Sequence, residues 1–158
     1  MVKFIPNFLR NSAEIVKVLD TYRNRFNPRE GDTKHTSIIP NLSSRFKTLH
    51  DKDMSSVLID LIFKDSDFDE FLRDSYSFIQ IQKYEPGDFI IPHKDVYEIR
   101  TLHLITLTTS EVDGLVIEDG KGGLIKKYDE AGTKIEFSNE YHWVDPVKTL
   151  RYSLVIGD

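Results

Sequence analysis

The chain has 158 residues, the size of one ordinary domain, and a chain of that length buries roughly 70% of the surface its unfolded form exposes. It contains no cysteine, which excludes a disulfide framework, a zinc–thiolate site and a thiol nucleophile, so any metal must be held by histidine and carboxylate, a set that suits iron(II), manganese or zinc. The formal charge of −5 is uneven: residues 1–50 carry nine Lys and Arg against four Asp and Glu, and this basic end could steer an acidic peptide or a nucleic acid, or be no more than solvated arginines.

From Met1 to Arg10 the apolar run is too short, and the charge at Lys3 too early, for a signal peptide. No apolar stretch reaches the about 18 residues of a membrane span, so a soluble cytoplasmic protein without membrane attachment is expected. Ile15, Val18, Leu19 and Tyr22 fall on one stripe, which predicts a helix over Asn11 to Arg25 capped by Asn11 or Ser12. Residues 26–50 hold Asn27-Pro28, Gly31-Asp32, Pro40-Asn41 and Ser43-Ser44, turn signals too frequent for a long element, and read as mostly loop. Helical periodicity returns over Asp53 to Arg73 and is broken by a polar cluster at Asp65 to Asp67, predicting a second helix and then a short third.

From Phe78 the grammar changes to short strands between turns. The candidate strands are Phe78–Tyr84, Phe89–Ile91, Arg100–Thr108, Gly114–Glu118, Gly123–Tyr128, Thr133–Phe137, Tyr141–Asp145 and Leu150–Ile156. Eight strands suffice for a jelly roll. The expectation is a single domain over residues 1–158, mainly β within an α+β class. Residues 1–77 would be a helical support with loop and 78–158 a double-stranded β-helix core, cupin-like, with the helices packed outside the sheet.

Three pieces of sequence carry chemistry. In Leu150 to Ile156, period-two alternation puts Leu150, Tyr152, Leu154 and Ile156 on one face and Arg151, Ser153 and Val155 on the other. A guanidinium inside a small barrel needs an anion, and its planar fork suits a carboxylate, with Ser153 adding a hydrogen bond. A dicarboxylate would satisfy it; so would an internal salt bridge to a fixed Asp or Glu. In Pro92-His93-Lys94-Asp95 an extended backbone points His93 and Asp95 the same way, toward one ion, although His-x-Asp by itself is common. His142 could add a second imidazole and complete a facial set of two histidines and one carboxylate, leaving three metal positions open. Its alternative is a strand-end histidine with a satisfied hydrogen bond. His103, mid-strand, is the rival ligand; His142 is preferred because it lies beside the strand that bears Arg151.

Taken in order, Tyr84-Glu85-Pro86-Gly87, His93-Lys94-Asp95, His142 with Pro146-Val147, and Arg151-Tyr152-Ser153 resemble the iron(II)- and 2-oxoglutarate-dependent dioxygenases, and among them the prolyl-hydroxylase-like branch. The resemblance covers residues 78–158. It implies that His93, Asp95 and His142 hold the metal, that Arg151, helped by Ser153, binds the distal carboxylate of 2-oxoglutarate, that Tyr84 lines the co-substrate pocket and that Arg100 faces the prime substrate. The implied reaction consumes 2-oxoglutarate and dioxygen, with ascorbate as a supporting reductant, releases succinate and carbon dioxide, and hydroxylates a substrate. The chain departs from the pattern at Ile90, where a tyrosine is common, and at His103 and Leu107, where a threonine and a tyrosine are frequent. It also carries Arg151 where collagen-type prolyl hydroxylases have lysine.

The substrate reading that the motif spacing favours is a protein side chain, a prolyl residue in a flexible peptide. A second reading is a nucleic-acid base oxygenase or demethylase, favoured by the basic first third and opposed by the overall acidity. A third is a non-enzymatic jelly roll that binds a ligand and has no affinity for iron.

Overall fold

The computed structural model describes residues 2–30, 36–37, 44–95 and 101–158, and for residues 29–30 and 36–37 the backbone alone. The turn signals at Gly31-Asp32 and Pro40-Asn41, and Arg100 with the role assigned to it, lie outside the described residues.

The first elements are β1 (Lys3–Ile5) and α1 (Ser12–Leu19), the latter continued by a 3₁₀ segment, Asp20–Arg25. Asn11 stands at the N-cap position, but its side chain donates to the Leu61 carbonyl at 2.8 Å instead of capping, and so ties α1 to the helix that follows. Short strands β2 (Asn27–Glu30), β3 (Thr36–Ser37) and β4 (Arg45–His50) come next. These occupy the stretch that reads as loop. Arg-Phe-Lys-Thr-Leu-His has little apolar content, and β4 exists because its backbone pairs with a distant strand, a contact that local pattern does not encode. Pro28 fits because β2 is the edge of its sheet. Helices α2 (Ser56–Lys64) and α3 (Glu70–Ser75) are capped by Ser55 and Asp69, whose side chains accept from the amides of Leu58 and Phe71.

The remaining strands match the expected run closely: β5 (Phe78–Tyr84), β6 (Ile90–Lys94), β7 (Leu102–Thr106), β8 (Gly114–Glu118), β9 (Leu124–Tyr128), β10 (Lys134–Phe137), β11 (His142–Val144) and β12 (Arg151–Gly157). They form two antiparallel sheets, β1-β10-β7-β12-β5-β4-β2 and β3-β6-β11-β8-β9. This is the jelly roll that the strand pattern predicts, with its larger sheet extended by strands from the N-terminal part.

Alternation along the larger sheet makes two cores. Ile79, Ile81, Ile105, Leu107, Tyr152, Leu154 and Ile156 face outward against Ile15, Leu19, Leu58, Ile62 and Leu72 of the three helices. Tyr84, Leu102, Leu104, Ile135, Phe137 and Val155 face inward against Ile90, Leu115, Ile117 and Val144 of the smaller sheet. The helices thus stiffen the wall that carries β12. No helix among the described residues is long and apolar enough to cross a membrane.

Candidate metal and anion site

His93 on β6 and His142 on β11 are directly opposite in the antiparallel register, with ring centroids 4.2 Å apart. Asp95 follows His93 by two residues and returns to the same side, while Lys94 between them points away and stacks its ammonium on Tyr141, 4.5 Å from the ring centre. One potential ligand atom from each of His93, Asp95 and His142 lies within 4.8 Å of the others. The Nε2 atoms of His93 and His142 stand 3.8 and 3.5 Å from the two oxygens of Asp95. Ligands set at right angles on an ion with bonds of about 2.1 Å stand about 3 Å apart, so the cluster needs only a small contraction to close on a metal.

The hydrogen bonds fix which nitrogen is offered. His93 Nδ1 lies 2.7 Å from the Ile91 carbonyl and His142 Nδ1 lies 2.9 Å from the Glu140 carbonyl, in both cases the residue two before. A carbonyl can only accept, so each Nδ1 carries a proton and Nε2 is the nitrogen each ring turns toward the cluster, the one that would offer its lone pair to a metal. Such outer partners orient metal-binding histidines, and both are main-chain atoms that no side-chain pattern reveals. The donor set and its tautomers fit a divalent ion with open positions.

His103 does not compete. It sits on the outer face of β7 beside Phe68, with Lys134 Nζ 3.3 Å from its Nδ1 and carboxylates of Glu136 and Asp158 within 4 Å. Leu107 joins the same outer core, so these two departures from the family pattern bear on the helical layer and not on the space between the sheets.

Arg151 lies on the inner face of β12, as alternation requires, and is 1% exposed. Its Nε donates to Asp129 Oδ2 at 2.8 Å and Nη1 lies at 3.5 Å from Ser153 Oγ. The internal salt bridge weighed for this residue is therefore present. It satisfies only part of the guanidinium: among the described residues Nη2 has no hydrogen-bond partner, nor has Asp129 Oδ1. Tyr84, paired with Arg151 across β5 and β12, lies beneath the guanidinium at 5.2 Å and stacks on Phe46. Its hydroxyl donates to Gln82 Oε1 at 3.0 Å, and burial pushes the phenol well above its ordinary range, so Tyr84 is neutral. Ser153 Oγ also donates to Gln82 Oε1, at 3.4 Å.

Two loops hold this edge of the barrel. In Glu85-Pro86-Gly87-Asp88 the Asp88 amide donates to the Glu85 carbonyl and Gly87 has φ of 93°, a turn that needs glycine at this position. Gly87 N donates to the Val147 carbonyl and Val147 N to that of Asp88, which locks the Pro-Gly turn to the loop between His142 and Arg151. Asp113 accepts from the amides of Lys148 and Thr149 and from the Thr149 hydroxyl. Burial alone would raise the Asp113 carboxyl, but these donors outweigh it and hold the group below the usual carboxylate range.

Asp113, Asp129 and Gln82 are missing from the sequence reading. Gln82 shares the inward face of Tyr84 at period two, a signal that was legible. Asp129 sits in the turn after β9 with nothing local to mark it; only the need of Arg151 for a counter-charge points to an acid somewhere. A separate hollow lined by Arg25, Asn27, Lys52, Asp53, Met54 and Ser55 shares no residue with the site.

No family model matches the sequence, and no curated protein matches it. Solved structures do match in fold. A 2OG-Fe(II) oxygenase-family oxidoreductase from Burkholderia pseudomallei gives a TM-score of 0.71 at 16% identity, covering 99% of this chain and 84% of that one. A prolyl hydroxylase from Trichoplax adhaerens, in complex with a hypoxia inducible factor oxygen degradation domain peptide fragment, gives 0.66 at 17% identity, covering 99% and 82%. The non-heme alpha-ketoglutarate-dependent epimerase SnoN of nogalamycin biosynthesis gives 0.67 at 12% identity, covering 99% and 78%. The jelly roll of this chain is the one these oxygenases share.

Proposed function

We propose that the protein is an iron(II)- and 2-oxoglutarate-dependent dioxygenase whose metal is held by His93, Asp95 and His142 and whose co-substrate is anchored by Arg151 with Ser153 and Tyr84. One observation carries the reading: a cluster of two imidazoles and a carboxylate, with each Nδ1 held by a main-chain carbonyl and each Nε2 turned to Asp95, lies in the same barrel as a buried guanidinium with an unused donor. Phe137 contacts the His142 ring and shares an inward core with Tyr84, which underlies Arg151, so cradle and cation border the same inward core. Bound iron supplies the redox chemistry with dioxygen and 2-oxoglutarate that yields succinate, carbon dioxide and a hydroxylated substrate. The chain's share is orientation: main-chain carbonyls aim the histidines, and the neutral Tyr84 face and Asp129 hold the guanidinium in place.

For the prime substrate we favour a protein side chain, a prolyl residue in a flexible peptide, supported by the order of the motif and by the fold shared with a peptide-bound prolyl hydroxylase. The nucleic-acid reading loses ground because Lys3, Arg10, Arg45 and Lys47 of the basic first third are engaged by carboxylates of Glu136, Asp65 and Asp67, Asp88 and Glu85. The test is succinate release from 2-oxoglutarate with iron(II) and ascorbate, first alone and then with proline-containing peptides. Trp143, the sole tryptophan and next to His142, reports metal entry by quenching with one equivalent of cobalt(II). His93→Ala abolishes quenching and turnover on this reading; a variant that keeps both removes the cradle from the mechanism.

A further inference from the structure

The pair Arg151–Asp129 is single-pronged where a forked one was available. Nη2 shares an edge of the guanidinium with Nε, yet only Nε reaches Asp129, and Oδ1 of the same carboxylate is left without a donor among the described residues. The side chains of both residues are essentially inaccessible, at 1% and 0% exposure. A buried acceptor and a buried donor, each unused and each on a partner of the same 2.8 Å contact, are unstable as they stand. One further group that both accepts from Nη2 and pairs with Oδ1 would satisfy them.

Charge decides what that group must bring. The pair is neutral, so a carboxylate docking on Nη2 leaves one uncompensated negative charge in a solvent-free place. The other charged groups facing Asp129 are Asp113, which is held ionised by its own amide donors and adds to the excess, and Lys126 on β9. Tyr84 nearby is neutral. A proton from solvent removes the excess, and Oδ1 is the Asp129 oxygen without a hydrogen-bond partner among the described residues. We propose that Asp129 is a further co-substrate-binding residue, which takes up one proton on Oδ1 as a dicarboxylate docks on Arg151 and donates from the resulting O–H to the incoming carboxylate. Burial already raises the Asp129 carboxyl above its ordinary range, although Arg151 opposes it. This inference rests on the oxygenase reading, because it needs the 2-oxoglutarate carboxylate at Arg151.

The experiment titrates 2-oxoglutarate into manganese(II)-loaded protein by calorimetry, between about pH 6 and 8, in two buffers of different ionisation heat. Metal loading settles the histidines beforehand, and both ligand carboxylates are ionised throughout this range. Wild type takes up close to one proton per ligand, and its affinity falls up to about tenfold for each pH unit. Asp129→Asn mimics the protonated acid: its carbonyl still accepts from Nε and its amide donates to the ligand. It binds without proton uptake, with no pH slope, and at pH 8 at least as tightly as wild type. Wild-type binding without proton uptake overturns the proposal, as does Asp129→Asn with unchanged uptake or with weakened binding at every pH. If Asp129→Asn fails to fold, the wild-type proton count alone decides. No 2-oxoglutarate binding to the metal-loaded wild type sinks the oxygenase reading itself, a result distinct from binding without a proton.

Discussion

Arg151 shows how one residue can serve stability and function by different atoms. Breaking a buried ion pair from one side strands the other charge, at a cost of about 3–5 kcal/mol, whereas replacing both partners with apolar groups of similar size is often neutral. Arg151→Met should therefore unfold at markedly lower urea, with the Asp129 carboxylate left buried and without its ion-pair partner. Arg151→Met combined with Asp129→Leu should regain most of that stability and still release no succinate. Recovery of activity in the double variant would show that the guanidinium is dispensable to the chemistry. A stability deficit in the double variant as large as in the single one would show that the pair's worth lies in its shape and not its charge.

Among the elements, the turn from β9 into β10 governs more than its own conformation. Gly132 has φ of 90°, its carbonyl accepts from the amides of both Phe8 and Leu9, and a Cβ there would stand 2.3 Å from the Leu9 carbonyl oxygen. Asp129 enters the same turn three residues earlier. Gly132→Ala must both adopt an unfavourable backbone and push the N-terminal segment off the sheet, a loss of more than about 1 kcal/mol by the backbone penalty alone. The measurement is the shift in thermal midpoint, and a shift indistinguishable from that of a surface alanine would contradict the close approach.

Elements were legible where side-chain period alone determines them. The inward placement of Arg151 and Ser153, and the shared side of His93 and Asp95, follow from alternation along an extended chain. So does the extent of β5, where Ile79 and Ile81 alternate with Gln80 and Gln82 ahead of the Pro86-Gly87 turn, whereas β8 is a continuous apolar run, Leu115-Val116-Ile117, bounded by the turn at Asp119-Gly120. What remained hidden depends on partners distant in sequence. β4 is a strand because β5 offers it a backbone edge; Asp129 matters because β12 brings Arg151 to it; the imidazole tautomers depend on two carbonyl oxygens. His103 was an open rival for the same reason: period two separates its face from that of Leu102 and Leu104, but only the packed helices reveal which face is the interior of the barrel.

For the molecule as a whole, the outer layer carries a pH dependence separate from the site. His103 lies between β7 and the α2–α3 connection, with Lys134 over the Phe8 ring and Glu136 and Asp158 close by. Burial, and next the Lys134 ammonium, hold its imidazole below the ordinary value of 6.5, against the pull of the two carboxylates. The folded state therefore binds fewer protons here than the unfolded chain. Stability supplied by neutral His103 is fully present above about pH 6.5 and is lost as the pH falls toward the depressed folded value. Wild type and His103→Gln should thus differ most in urea midpoint near pH 7.5, and the gap should close toward pH 5, since glutamine has no proton to gain. A gap that stays constant with pH would mean that His103 acts through its shape alone. A gap that widens on acidification would mean that Glu136 and Asp158 outweigh burial and that the imidazole is charged in the fold. Because His103 lies on the opposite face of β7 from the cradle, metal binding measured by Trp143 quenching should be the same in both proteins at pH 7.5.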